Sequence, residues 1–110
     1  MTLTPGPLNL VTDVPGLRVG HAQSENLLTG VTVLLPEKEA IAAIDQRGGA
    51  PGTRETDVLT LENSIEVIHA LVFSGGSAFG LESASGVQRW LYENNRGYRV
   101  GDTCVPIVPC

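Results

Sequence analysis

The chain has 110 residues, a formal net charge of −5, 42% apolar residues and 17% charged ones, which is enough for one globular domain and not for two. Lys38 is the single lysine, and an acidic chain without a basic stripe lacks the phosphate-neutralising surface of a nucleic-acid binder. No apolar run approaches the ~20 residues that span a bilayer, and only 5% of residues are aromatic, so aliphatic and small side chains have to carry the packing.

Residues 1–16 are punctuated by proline and glycine and predict an extended entry. They carry neither the basic nor the apolar region of a secretory leader, which predicts a cytoplasmic protein. "GLRVGHA" alternates, placing Leu17, Val19 and His21 on one face of a strand and Arg18 and Gly20 on the other. "GVTVLLPE" and "EAIAAIDQ" predict two further strands joined as a hairpin across residues 36–39. "RGGAPGTRETD" is a loop by composition, and Arg47, Arg54, Glu55 and Asp57 suggest an ion-pair web that orders it. "LENSIEVIHA" has room for a short helix.

Residues 70–74, "ALVFS", predict a central strand buried on both faces. Residues 78–94 then predict the longest helix, with Gly80, Ala84, Val87 and Leu91 on one face and its small residues pressed against a sheet. Asn94, Asn95 and Gly97 end that helix. "YRVGD" and "VPIVP" read as strand fragments. The chain stops on the apolar run "CVPIVPC" with no polar tail, as a truncated chain would, so Val105, Ile107 and Val108 are expected to lack a strand partner and the isolated piece to be marginally stable. Cys104 and Cys110 match no zinc or redox spacing and predict free thiols in preference to a disulfide, and neither a metal nor a cofactor is expected.

The chemistry concentrates at "VFSGGSAFGLE", where a strand runs through Gly75, Gly76 and Ser77 into a helix. A nucleophile elbow needs Gly-x-Ser-x-Gly, but here the second glycine, Gly80, comes one place late, and only His21 and His69 exist as bases. Helix N-cap is the better role for Ser77. A phosphate nest at the Gly75 to Ser77 amides has physical grounds in the helix dipole, yet no Walker lysine and no Gly-x-Gly-x-x-Gly accompany it. Glu82 suits the first helical turn electrostatically, and its position predicts that it faces a groove beside Gly75 and Gly76.

Taken together, "VTDVPGLRVGHA", "GVTVLLPE", "RGGAPGTRETD", "HALVFSGGSAFGLESASGV" and "VPIVP" resemble, in order, the DmpA-like aminopeptidases, a group of L-aminopeptidase/D-amidase-esterases and β-peptidyl aminopeptidases. The resemblance runs from about Leu10 to Cys110, as the N-terminal part of the larger chain. It implies an α/β fold that is part of an α/β/β/α sandwich similar to N-terminal-nucleophile hydrolases, with residues 1–110 a single incomplete domain. Such proteins cut themselves into two chains and expose a serine or threonine whose own α-amine can act as base. The nucleophile then lies beyond residue 110, and this chain alone is expected to be inactive. Gly75, Gly76, Ser77, Ala78, Phe79 and Glu82 become candidates for the substrate-pocket wall, with Glu82 suited to a free amino group. The implied partners are a small peptide or amino-acid amide, the rest of the same precursor, and further copies in a homo-oligomer, with no nucleic acid and no membrane. A stand-alone binding or scaffold domain is the alternative, and a small-anion module trails both.

Overall fold

Strands β1 (Leu17–Ser24) and β2 (Thr29–Pro36) form an antiparallel hairpin in which Leu17 opposes Pro36 and Ser24 opposes Thr29. The computed structural model describes residues 2–110. Leu28 closes the hairpin turn in the left-handed region, at φ 49°. Strand β3 (Ala40–Ile41) does not return along β2 as the sequence suggests; it pairs antiparallel with β4 (Val67–Ile68). Strand β5 (Leu71–Ser74) takes the place beside β2, giving a sheet of order β1-β2-β5. Residues 61–70 hold no helix. A single 3-10 turn at Asp57–Leu59 precedes them, and the segment is then drawn out into β4. Pairing with β3 satisfies its backbone, and a lone helical turn there would have had a costly nucleus to form.

The register divides the sheet cleanly. Val33 opposes Val72 and Val31 opposes Ser74, so Val31, Val33, Leu35 and Val72 share one face. Val19, His21, Thr32, Leu34, Leu71 and Phe73 share the other, which places Val19 and His21 together as their alternation predicts. A helix covers the first face, and Val72 is buried there while Phe73, on the second, is exposed. Strand β5 is therefore buried on one face, which corrects the expectation of burial on both.

That helix comes in two pieces, α1 (Ser77–Gly80) and α2 (Ser83–Glu93). Bonds of the tighter i→i−3 kind join them, from Leu81 N–H to Ala78 C=O and from Glu82 N–H to Phe79 C=O, both 3.3 Å. Ala84 and Leu91 are fully buried against Ala70, Val72 and Val108, and Val87 packs beside them, which bears out the predicted face. The end of α2 satisfies its orphan carbonyls by a Schellman arrangement: Arg96 N–H reaches Leu91 C=O at 2.9 Å and Asn95 N–H reaches Tyr92 C=O at 2.9 Å, with Asn95 at φ 58°.

Strands β6 (Tyr98–Val100) and β7 (Thr103–Val105) then make a small hairpin. Beyond it, residues 107–109 run parallel to the start of β5. His69 N–H donates to Ile107 C=O and Val72 N–H to Pro109 C=O, both at 2.9 Å. Ile107 and Val108 are buried in consequence, so they do not lack a partner. Val105, although exposed, opposes Tyr98 across the β6–β7 hairpin, so it too has the strand partner it was expected to lack. Cys104 is buried, Cys110 is partly so, and both are free thiols.

Candidate functional site

The strand-to-helix corner begins where Gly75 N–H extends the ladder by donating to Gly30 C=O at 2.9 Å. Gly76 then turns the chain at φ 86°, a conformation that costs glycine nothing and side-chain-bearing residues 1–2 kcal/mol or about that. Ser77 follows at φ 58° as the first residue of α1. The N-cap is therefore Gly76, and no side chain caps the helix, so the capping role expected for Ser77 is not what it does. A cap serine needs an extended backbone to fold its oxygen over the next amides, and the left-handed turn removes it from that position.

Two features press the helix start onto the strand. A Cβ on Gly80 would overlap the Gly75 carbonyl oxygen and lie 2.8 Å from both the Gly75 carbonyl carbon and Ser74 Oγ. Ser74 Oγ–H is 2.6 Å from Gly80 C=O and 3.0 Å from Gly75 C=O, so its one proton locks the corner against the helix. Sequence reasoning overlooked Ser74; the signal for it was a polar residue closing an otherwise apolar run directly before Gly-Gly.

Hollows open on either side of this corner. One, about 290 Å³, lies between the β1–β2 hairpin and the helix start, with Gln23, Thr29, Gly30, Ser74, Gly75 and Phe79 among its walls. The other, about 480 Å³, lies between residues 50–52 of the glycine-rich loop and Ser74, Ser77, Ala78 and Leu81. Ser74 is common to both, and neither wall contains a charged side chain. Phe79 is 93% exposed and stands at the rim of the first. Gly76 and Glu82 line neither. Glu82 is solvent-exposed, on the outer side of the α1–α2 joint, which differs from the predicted position facing a groove beside Gly75 and Gly76. A separate apolar hollow of about 400 Å³ lies between α2 and strands β1 and β2, lined by Gly20, Val33, Leu35, Val87 and Trp90 among others. It touches no residue of the corner.

The glycine-rich loop is held by hydrogen bonds to backbone and to uncharged side chains in place of the expected ion-pair web. Arg47 pairs with Asp45 at 3.0 Å, an exposed contact of little energetic weight. Arg54 instead sends its guanidinium to Ser85 Oγ at 2.7 Å and Leu81 C=O at 3.3 Å, and its backbone exchanges two bonds with Cys110, at 2.8 and 3.0 Å. The Glu55 carboxylate accepts Val108 N–H at 3.2 Å. Thr56, buried, donates to Gln46 Oε1 at 3.2 Å and closes the loop from below. Nothing in the sequence points to an Arg54 partner 27 residues away.

Neither histidine serves Ser77. His21 Nδ1 lies 2.8 Å from Thr32 Oγ1 on the face of the sheet away from the helix. His69 is buried and its Nδ1 accepts Ile107 N–H at 3.1 Å. Burial, which disfavours the charged ring, lowers the His69 pKa below the ordinary histidine value in spite of the Glu39 carboxylate nearby. Burial likewise pushes the Cys110 thiol up, the nearby Ser83 hydroxyl and the Arg54 charge opposing it. Among the described residues no three His, Cys, Asp or Glu side chains gather where they could hold a metal. What the corner can do is seat an uncharged group against glycine backbone; activating a hydroxyl would need a base from elsewhere.

No helix among the described residues is long and apolar enough to cross a membrane. The pattern of peptidase family S58 matches residues 9–110. An uncharacterized aminopeptidase of Mycobacterium tuberculosis is 49% identical over 110 aligned positions, which cover 93% of this chain and 32% of that protein. An uncharacterized aminopeptidase of Mycobacterium leprae is 44% identical over 99% of this chain and 32% of its own length. A 6-aminohexanoate-oligomer endohydrolase of a Kocuria species is 38% identical over 81% of this chain and 22% of its own. The chain thus spans about a third or less of the length of the curated relatives it matches. With the Gly-Gly-Ser corner, the glycine-rich loop and the strand between them all inside the matched span, the chain belongs to peptidase family S58, the family of the DmpA-like aminopeptidases.

Proposed function

We propose that this chain is the N-terminal portion of a self-processing aminopeptidase or amidase, a single incomplete domain that supplies one wall of the substrate site and not its nucleophile. The observation that carries this reading is the mismatch in length: relatives named as an aminopeptidase and as an oligomer endohydrolase match 93% and 81% of this chain with only 32% and 22% of themselves. The isolation of Ser77 from both histidines supports it, since a serine without a base is a poor nucleophile. In this reading the remainder of the protein completes an α/β/β/α sandwich and, after self-cleavage, exposes a serine or threonine whose α-amine serves as base. The complete enzyme is a cytoplasmic homo-oligomer that needs no cofactor. Gly75, Gly76, Ser77, Ala78 and Phe79 form the wall against which an amide substrate lies. Glu82, exposed beyond the hollows, enters as a rim carboxylate toward the substrate's free amine.

The test is expression of the full-length reading frame. Intact-mass analysis is expected to find two chains, the smaller beginning with Ser or Thr, together with turnover of aminoacyl p-nitroanilides. The 110-residue chain alone is expected to be inert. Turnover by that chain, lost in Ser77→Ala, would overturn the reading.

A stand-alone scaffold domain is the second reading, favoured by one observation: Ile107 and Val108 are buried within this chain. It requires the 110-residue chain to be monomeric and to melt cooperatively by itself.

A further inference from the structure

Residues 107–110 are held at five points, and one of them is a buried imidazole. His69 N–H and Val72 N–H donate to Ile107 and Pro109 carbonyls, Val108 N–H donates to Glu55, and Cys110 exchanges backbone bonds with Arg54. The fifth point is Ile107 N–H, which donates to His69 Nδ1 at 3.1 Å with the imidazole only 4% exposed. An accepting Nδ1 carries no proton, so the ring is the neutral Nε2–H form. Nε2 has no hydrogen-bond partner among the described residues, and the nearest carboxylate oxygen, Glu39 Oε2, is 3.9 Å away. A second proton can therefore go only to Nδ1, where it would oppose the Ile107 N–H donor against donor.

We propose that His69 is an acid-operated latch: protonation of its Nδ1 breaks the bond from Ile107, releases residues 107–110 from β5, and thereby loosens the glycine-rich loop beside the Gly-Gly-Ser corner. The route is continuous in the structure. The released segment pins Arg54 and Glu55, Arg54 also ties the loop to Leu81 and Ser85, and residues 50–52 of the same loop wall the larger hollow. Three charged groups face the ring from the elements packed around it. Glu39, before β3, and Glu55, in the loop, favour the imidazolium, whereas Arg96, beyond α2, opposes it. Burial is the largest influence and also opposes it. With the folded pKa below the unfolded value of about 6.5, the latch is closed above that pH and opens as the pH falls through the folded value.

Hydrogen exchange read by mass spectrometry on the full-length protein, corrected for intrinsic exchange, tests this between about pH 7.5 and pH 5. In the wild type, amides 107–110 and 54–55 are expected to lose about tenfold or more protection at the acid end relative to α2. His69→Asn, whose side-chain oxygen can accept the Ile107 bond without titrating, is expected to remove that loss. Glu39→Gln, an exposed substitution, should move the opening to lower pH by withdrawing a charge that favours protonation. Protection independent of pH in the wild type overturns the proposal, as does a His69→Asn profile that follows the wild type. If His69→Asn does not fold, an unshifted Glu39→Gln profile overturns it.

Discussion

Gly80→Ala and Gly86→Ala make the same chemical change at two positions six residues apart, and the structure assigns them opposite signs. Gly86 sits inside α2 with nothing within 4 Å of a Cβ built on it, so alanine there gains the helix-propensity difference of about 0.8–1 kcal/mol. Gly80 faces the corner. A methyl there overlaps the Gly75 carbonyl oxygen and lies 2.8 Å from the Gly75 carbonyl carbon, and the obstructing atoms are backbone, which cannot swing aside as a side chain would. Relieving the overlap means lifting the start of the helix from the strand, an overpacking cost of about 1–3 kcal/mol. The same movement stretches the 2.6 Å bond from Ser74 Oγ to Gly80 C=O, worth about 0.5–1.5 kcal/mol. Gly80→Ala is thus expected to destabilise by about 2–4 kcal/mol, and Gly86→Ala to stabilise by up to about 1 kcal/mol. Urea unfolding of both variants, compared at unchanged slope, measures the two shifts of midpoint against wild type. Shifts of the same sign, or a Gly80→Ala protein within about 0.5 kcal/mol of wild type, would refute the close approach of helix and strand on which the candidate site depends.

Leu91→Ala removes a fully buried side chain from the centre of the α2–sheet contact and is expected to cost about 2–5 kcal/mol by the same urea assay. Asn95→Gly relieves a left-handed residue at the end of α2 and should raise the thermal midpoint, whereas Asn95→Val, β-branched at φ 58°, should lower it. Alkylation by iodoacetamide at neutral pH should be slow at buried Cys104 and slow at Cys110, where burial holds the thiol protonated; because that pKa is raised on folding, its contribution to stability is complete at neutral pH and is lost only as the pH rises through the folded value. In the full-length enzyme, Glu82→Gln is expected to weaken amine-bearing substrates by about 1–3 kcal/mol relative to amine-blocked ones in kcat/KM; equal effects on both would leave Glu82 an exposed surface residue.

Local signals in the sequence determined the elements that local physics controls. The alternation of residues 17–21 placed Val19 and His21 on one sheet face, the Gly80, Ala84, Val87 and Leu91 spacing named the buried stripe of the helix, and Asn95 marked its end. Each is legible because side-chain periodicity and left-handed tolerance act within a few residues of the chain. The order of segments also carried the family, since "RGGAPGTRETD" and "GGSAFGLE" are recognisable before anything is folded. Strand partnership was not legible. Residues 40–41 look as ready to pair with β2 as with β4, and the choice depends on β5 occupying the edge of β2, a contact between residues some 40 positions apart in the chain. The same holds for Ile107 and Val108, whose burial is decided by backbone bonds to His69 and Val72, and for Arg54, whose charge is spent on Leu81 and Ser85 and not on a neighbouring carboxylate. Glu82 shows the limit from the other side: a helical wheel puts it beside the packed face, but the tight joint between α1 and α2 turns it out to solvent. Long-range pairing is selected by which buried donors and acceptors are satisfied in the assembled fold, and that is a property of the tertiary structure alone.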